Sequence, residues 1–195
     1  SNHPDMETSI SGVDPGYVGS TLTGTMPTLT TYGNGKINQW DWWDPKYLSF
    51  NRTDSQYDLA NSFAGNWFPV NTGLSGDPQY FAVHWTGQFY VDQDKSYTYT
   101  MGSDDDSWLF IDDKLILDLG GIHGLSYDNY TISLTQGWHS INIFFAERHT
   151  VESGFQLNFF SDLQPNPVPE PSTMLLLGTG LVGVLGFKFR RKVRG

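Results

Sequence analysis

Residues 101–111 read MGSDDDSWLFI, three consecutive aspartates set into a run of aromatic and aliphatic side chains. Adjacent carboxylates repel one another, so such a run is costly in a packed strand unless it lies in a turn facing water or a cation. The flanks carry strand patterns. Tyr97, Tyr99 and Met101 alternate with Thr98 and Thr100, and Trp108 to Ile111 is a near-continuous apolar run of the kind found in a central strand buried on both faces. The stretch therefore predicts a β-hairpin with the aspartates at its tip, on a rigid support. Hard oxygen ligands clustered on a loop suit Ca²⁺, which takes six to eight oxygens, better than a transition metal, which favours His or Cys. The competing reading is a solvated acidic turn that binds nothing.

Strand patterns recur downstream. Phe81, Val83, Trp85, Phe89 and Val91 share one face and His84, Thr86 and Gln88 the other, interrupted at Gly87, which predicts a half-buried strand or a bulged pair. Asp92 to Lys95 forms a turn. Asp112-Asp113 falls between Phe110-Ile111 and Leu115 to Leu117, the spacing of a tight hairpin, so this second acidic pair reads as a turn and not as ligands. Residues 120–124, GGIHG, form a loop, and residues 130–134, 141–146 and 155–160 complete the strands. With 15% aromatic residues, many Thr, Gly and Asn, and no long helical period, the chain predicts an all-β, antiparallel β-sandwich. Residues 1–31 are expected to wrap the domain edge. The cluster Trp40, Trp42 and Trp43 either stacks on sugar rings, if exposed, or joins the core.

Charge divides the chain. Residues 1–169 hold 6 of the 11 basic and 20 of the 21 acidic side chains, a net of −14. Such a surface repels nucleic acid and concentrates cations, which excludes a DNA or RNA partner. With no cysteine, disulfides and thiolate chemistry are absent. Residues 164–171, QPNPVPEP, are an extended Pro-rich linker. Residues 173–187 carry no charge, and Lys188, Arg190, Arg191 and Lys192 follow. The apolar stretch is at the short limit for crossing a bilayer core of about 30 Å, and the positive cluster places the C-terminus in the cytoplasm. Three segments result: a β-sandwich over 1–163, a linker over 164–172, and a single transmembrane helix with a basic tail over 173–195.

The tail, Val168-Pro169-Glu170-Pro171 followed by an apolar segment and Arg190-Arg191-Lys192, resembles the PEP-CTERM sorting signal of Gram-negative bacteria. That resemblance implies export, a transient anchor in the inner membrane, processing by an exosortase near Pro-Glu-Pro, and residence at the cell surface or in an extracellular polysaccharide matrix or biofilm. Residues 3–160 resemble the fibro-slime module, a relative of the PA14 β-sandwich with jelly-roll-like topology. The matching pieces are HPDME at 3–7, Gln39-Trp40, Ser103-Asp104-Asp105 followed by WLFID at 108–112, DLGGIHG at 118–124 and AERHT at 146–150. The module's expected start lies upstream of Ser1, so the chain reads as trimmed.

In sugar-binding PA14 relatives two adjacent aspartates on a loop hold Ca²⁺, the ion holds two sugar hydroxyls, and a second loop closes the site. The resemblance assigns the ion to Asp104 and Asp105, and Asp106 beside them, where many relatives carry Gly or Asn, is expected as a third metal residue. It assigns the closing loop to His149, Thr150, Glu152 and Ser153. Other PA14 domains bind no sugar and serve in assembly. His123, Glu147 and Arg148 are expected to form a structural network that ties Glu147 and Arg148 to a neighbouring loop, since no zinc-type spacing joins His123, Glu147 and His149. No GxSxG elbow, phosphate-binding loop or Cys nucleophile is present, and paired carboxylates for glycoside hydrolysis are too common in so acidic a chain to carry weight. The sequence thus predicts a non-enzymatic, calcium-dependent adhesin of an extracellular polysaccharide or cell-surface glycan. A self-assembling matrix subunit is the alternative, and a polysaccharide-modifying enzyme the weak third.

Overall fold

A computed structural model of the chain describes residues 11–37, 81–149 and 152–158. The chain divides into two units, Ser1–Leu163 and Gln164–Gly195, and every described residue belongs to the first. The tryptophan cluster at 40–43, the linker, the sorting residues Val168, Pro169, Glu170 and Pro171, and the apolar segment after them lie outside the described residues. Among those described, the only helix is a 3₁₀ turn at Gly33–Gly35, and none is long and apolar enough to cross a membrane.

Seven strands follow one another: β1 (Phe81–Val91), β2 (Lys95–Asp104), β3 (Asp106–Ile111), β4 (Lys114–Leu119), β5 (Ser126–Leu134), β6 (Gly137–Glu147) and β7 (Gly154–Asn158). They form two antiparallel sheets, β1-β6-β3-β4 and β5-β2-β7. The fold is all-β, as the patterns predict. Among the described strands only β3 and β4 form a hairpin, and every other link carries the chain from one sheet to the other. Its two-residue loop is Asp112-Asp113, with φ of 48° and 62°. That left-handed pair twists a hairpin correctly, and Asp tolerates it better than most residues. β1 runs through Gly87 in unbroken register with β6, Gly87 being the partner of Ile141.

The period-two alternation decides the packing. Tyr97, Tyr99 and Met101 of β2 and Phe155 and Leu157 of β7 face Leu109, Ile111, Ile143 and Phe145 of the larger sheet across the sandwich core. β3 is buried on both faces. Trp108 and Phe110 point the other way, joining Phe144 and Ala146 in a second cluster covered by Tyr17, Val18, Leu22 and Ile37 of the N-terminal segment. This segment was expected at an edge, and it does pair with edge strand β4, Thr21 bridging to Lys114 and Leu115 N–H donating to Ser20 O at 3.0 Å. It also roofs the outer face of the larger sheet, because a strand with large apolar residues at every position needs cover on both sides. Burying each aromatic side chain contributes about 2–3 kcal/mol, so the roof matters to stability.

The acidic run departs from the sequence expectation. β2 and β3 are not a hairpin: Asp105 alone connects two strands that lie in different sheets. Nor do the aspartates face water, being 7%, 1% and 0% exposed at Asp104, Asp105 and Asp106. Repulsion among them is answered by donors brought from distant segments, not by solvent.

Candidate metal site

Asp105 sits at the sheet-to-sheet crossing, where two loops converge on its carboxylate. His123 N–H donates to Oδ1 at 2.8 Å and Arg148 N–H to Oδ2 at 2.9 Å. The peptide bond between Asp104 and Asp105 is cis. In the β3–β6 ladder Asp106 is paired with Ala146, so Glu147, the next residue of β6, emerges beside Asp105. Asp104, Asp105 and Glu147 each place a carboxylate oxygen within 4.8 Å of the others, and all three residues are buried. Glu147 Oε1 accepts from His149 N–H at 2.9 Å, whereas Oε2 is buried with no hydrogen-bond partner.

A buried, unpartnered carboxylate oxygen on a residue clustered with two further carboxylates is unfavourable unless a proton or a cation joins it. Burial, reinforced by the Asp105 charge, pushes the Glu147 carboxyl up to about 11. Burial and then Asp105 also push Asp104 up to about 6, opposed by His123 and by a backbone hydrogen bond from Leu125. A proton or a cation would relieve the crowding of these carboxylates. Three hard oxygen donors fit such an ion. The imidazole of His123 is no obvious competitor, since its ring nitrogens face Gly124 O at 3.0 Å and Leu119 O at 3.1 Å.

Asp106 belongs to a different arrangement from the one expected. Its carboxylate takes Arg148 Nε at 2.6 Å and Nη2 at 2.9 Å, and Gly121 N–H at 2.7 Å. Burial alone would lower the Arg148 guanidinium, but Asp106 overrides it and holds it charged. Tyr17 caps the pair, with its ring 6.0 Å from the guanidinium carbon. The geometry thus exchanges two assignments: Asp106 is the partner of Arg148 in the network with the 120–124 loop, and Glu147 joins the acidic triad. His123 ties the same loop to Asp105.

Of the expected closing loop, His149 donates to Glu147, Ser153 is buried with Oγ unpartnered, and Glu152 is exposed with its charge felt at Asp104. Thr150 lies outside the described residues. Ser153 precedes Gly154, the register partner of Asp104, so β7 brings this loop to the end of β2 that bears the triad. No local spacing betrayed Glu147: it is 42 residues from Asp105 along the chain, and only the β3–β6 register joins them.

Residues 41–171 match the PA14 domain, and residues 167–192 match the PEP-CTERM protein-sorting motif. The motif marks the chain as an exported protein, secreted or held at the surface. Among curated relatives, protein psiB of Dictyostelium discoideum is 37% identical over 108 residues, covering 47% of this chain and 20% of its own length. Protein psiE of the same organism is 33% identical over 116 residues, covering 47% and 22%. The chain thus spans about a fifth of the curated relatives it matches. Among solved structures, the PA14 domain of the MpAFP antifreeze protein aligns with a TM-score of 0.36 at 10% identity, over 42% of this chain and 46% of that one.

Proposed function

This chain belongs to the PA14 domain family, and from that membership and its acidic triad we propose that it is a calcium-dependent carbohydrate-binding protein, exported to act in an extracellular polysaccharide. The observation that carries the reading is the buried triad of Asp104, Asp105 and Glu147 with its orphaned Oε2. Asp104, Asp105 and Glu147 would hold the ion, with Ser153 and backbone oxygens nearby. When bound, Ca²⁺ neutralises the carboxylates and offers remaining coordination positions to a vicinal diol of a sugar. His149 to Ser153 would flank that diol. The activity is binding, not catalysis. An exosortase at the inner membrane of a Gram-negative cell would process the tail near Pro169-Glu170-Pro171, after the segment at 173–195 has held the chain there.

One observation favours a second reading: all three carboxylates are nearly inaccessible. An ion so enclosed would stiffen the sheet crossing of a self-assembling matrix subunit without touching a glycan. A glycan array read with Ca²⁺ and with chelator, beside calorimetry of Ca²⁺ binding, separates the two. Binding of ion and glycan together, both lost with chelator, is the outcome expected. Ion binding with a silent array leaves the matrix subunit, and an absence of ion binding removes the calcium proposal altogether.

A further inference from the structure

The outward face of the β5-β2-β7 sheet has a chemistry unlike the rest of this acidic chain. Along β2 the residues that turn away from the core are Ser96, Thr98, Thr100 and Gly102, and their partners on β5 are Ser133, Thr131, Asn129 and Tyr127. None carries a charge, in a chain of net −10. The hydroxyls are paired across the strands: Ser96 Oγ to Ser133 Oγ at 2.9 Å and Thr98 Oγ1 to Thr131 Oγ1 at 2.7 Å. These four residues are exposed. On the far side of β2 the row continues in Gln156 and Asn158 of β7, again amides without charge. Donors and acceptors therefore repeat at about 6.8 Å along each strand and about 4.8 Å between strands.

At one end of this face lies an aromatic platform. The Tyr127 ring rests on Gly102, so closely that a Cβ there would meet Cε1 at 2.4 Å, yet Tyr127 is 54% exposed. Glycine is required beneath it. The ring is held against the sheet by the absence of a side chain, with its other side open to a partner. Two residues further along β2 stands Asp104, buried in the acidic triad.

We propose that this face is a second, cation-independent binding surface for an extended, uncharged polysaccharide. A neutral chain can approach it without stripping water from charged groups, which elsewhere on so acidic a surface is costly. Sugar hydroxyls match the Ser, Thr, Asn and Gln ladder in donor and acceptor character. The C–H face of one sugar ring stacks on Tyr127, a large apolar plane already immobilised, so little side-chain freedom is lost on binding. This surface does not depend on the proposed calcium site, and the two fail separately.

The test is a pull-down of the chain by microcrystalline cellulose in the presence of chelator, with anionic alginate as the counter-probe. Retention on cellulose but not on alginate is expected. Tyr127→Ala and Thr98→Lys should each weaken retention tenfold or more, and Tyr127→Trp should keep it. Circular dichroism and melting of each variant check the fold, and Thr98→Lys, at an exposed strand position, is the change least able to disturb it. No retention on cellulose overturns the proposal, as does retention that disappears with chelator or is indifferent to both face variants. Self-association abolished by Thr98→Lys, with no polymer bound, assigns the face to a second copy and overturns it equally.

Discussion

Glu147 and Asp106 both carry buried carboxylates near Arg148, yet their environments ask for different partners. Asp106 is met by three N–H donors, two of them from the guanidinium. Removing one member of so buried a pair leaves the other charge uncompensated, so Arg148→Met is expected to cost about 3–5 kcal/mol. In a domain of this size that is a fall in melting temperature on the order of 10 °C. The same loss without any change in ion affinity separates this pair from the metal site. For the triad the pH dependence has a definite sign. Asp104 and Glu147 bind protons more tightly folded than unfolded, so the cation-free protein loses stability as pH rises above the unfolded carboxylate range of about 4. The Asp104 part is lost through about 6 and the Glu147 part continues toward about 11. Chemical denaturation with chelator between pH 4 and 8 should show this decline, and saturating Ca²⁺ should flatten it. Glu147→Gln, neutral throughout, should be more stable than wild type at pH 8 without cation and should bind Ca²⁺ at least tenfold more weakly. A wild type whose cation-free stability exceeds that of Glu147→Gln at pH 8 would contradict the assignment.

Elements acquire their roles from what crosses between the sheets. β3 is short, but it is sandwiched between β6 and β4 and buried on both faces, so its hairpin to β4 sets the position of everything packed upon it. The sequence reads Asp112 as a turn residue and not as a ligand. The turn is there, but Asp112 does more. Its Oδ1 accepts Ser140 N–H at 3.0 Å and its Oδ2 lies 2.6 Å from His139 Nδ1, tying the hairpin to the start of β6. Burial would lower His139, but the bond to Asp112 outweighs it and raises it. Asp112→Ala is therefore expected to destabilise by about 1–3 kcal/mol, from the lost bonds and from a Cβ without a local hydrogen bond at φ 48°. Asp112→Gly restores the conformational part alone. Equal melting temperatures for wild type and Asp112→Ala would show that the tie contributes nothing.

At the scale of the molecule the sorting motif marks an exported chain, and the proposed membrane stage of the tail can be tested beside it. Residues 1–169 carry a net charge of −14 while five basic side chains crowd the last eight residues, so the tail suits an anionic membrane surface and the module an outer space rich in cations. Processing near Pro169 to Pro171 would free the module from that tail. Mass spectrometry of the protein released by its native host should find no peptide from residues 173–195. Recovery of released chains intact to Gly195 would reject processing.

Strand periodicity made the sandwich legible: alternation in β1 and β2, the double-sided apolar run of β3 and the Asp112-Asp113 turn are local, and each is decided within about ten residues by side-chain direction and turn sterics. The sorting motif is legible for the same reason, being a contiguous signal. Asp104 and Asp105 could be picked out because they are neighbours. Which acids share a site could not, since that depends on strand register. The pairing of Asp106 with Ala146 sets Glu147 beside Asp105, and the convergence of Arg148 with the 120–124 loop takes Asp106 away. Repulsion within a run of aspartates is visible in the sequence, and it argues for water. Only the fold supplies the N–H donors and the guanidinium that let the run be buried, because those partners come from segments up to 43 residues away.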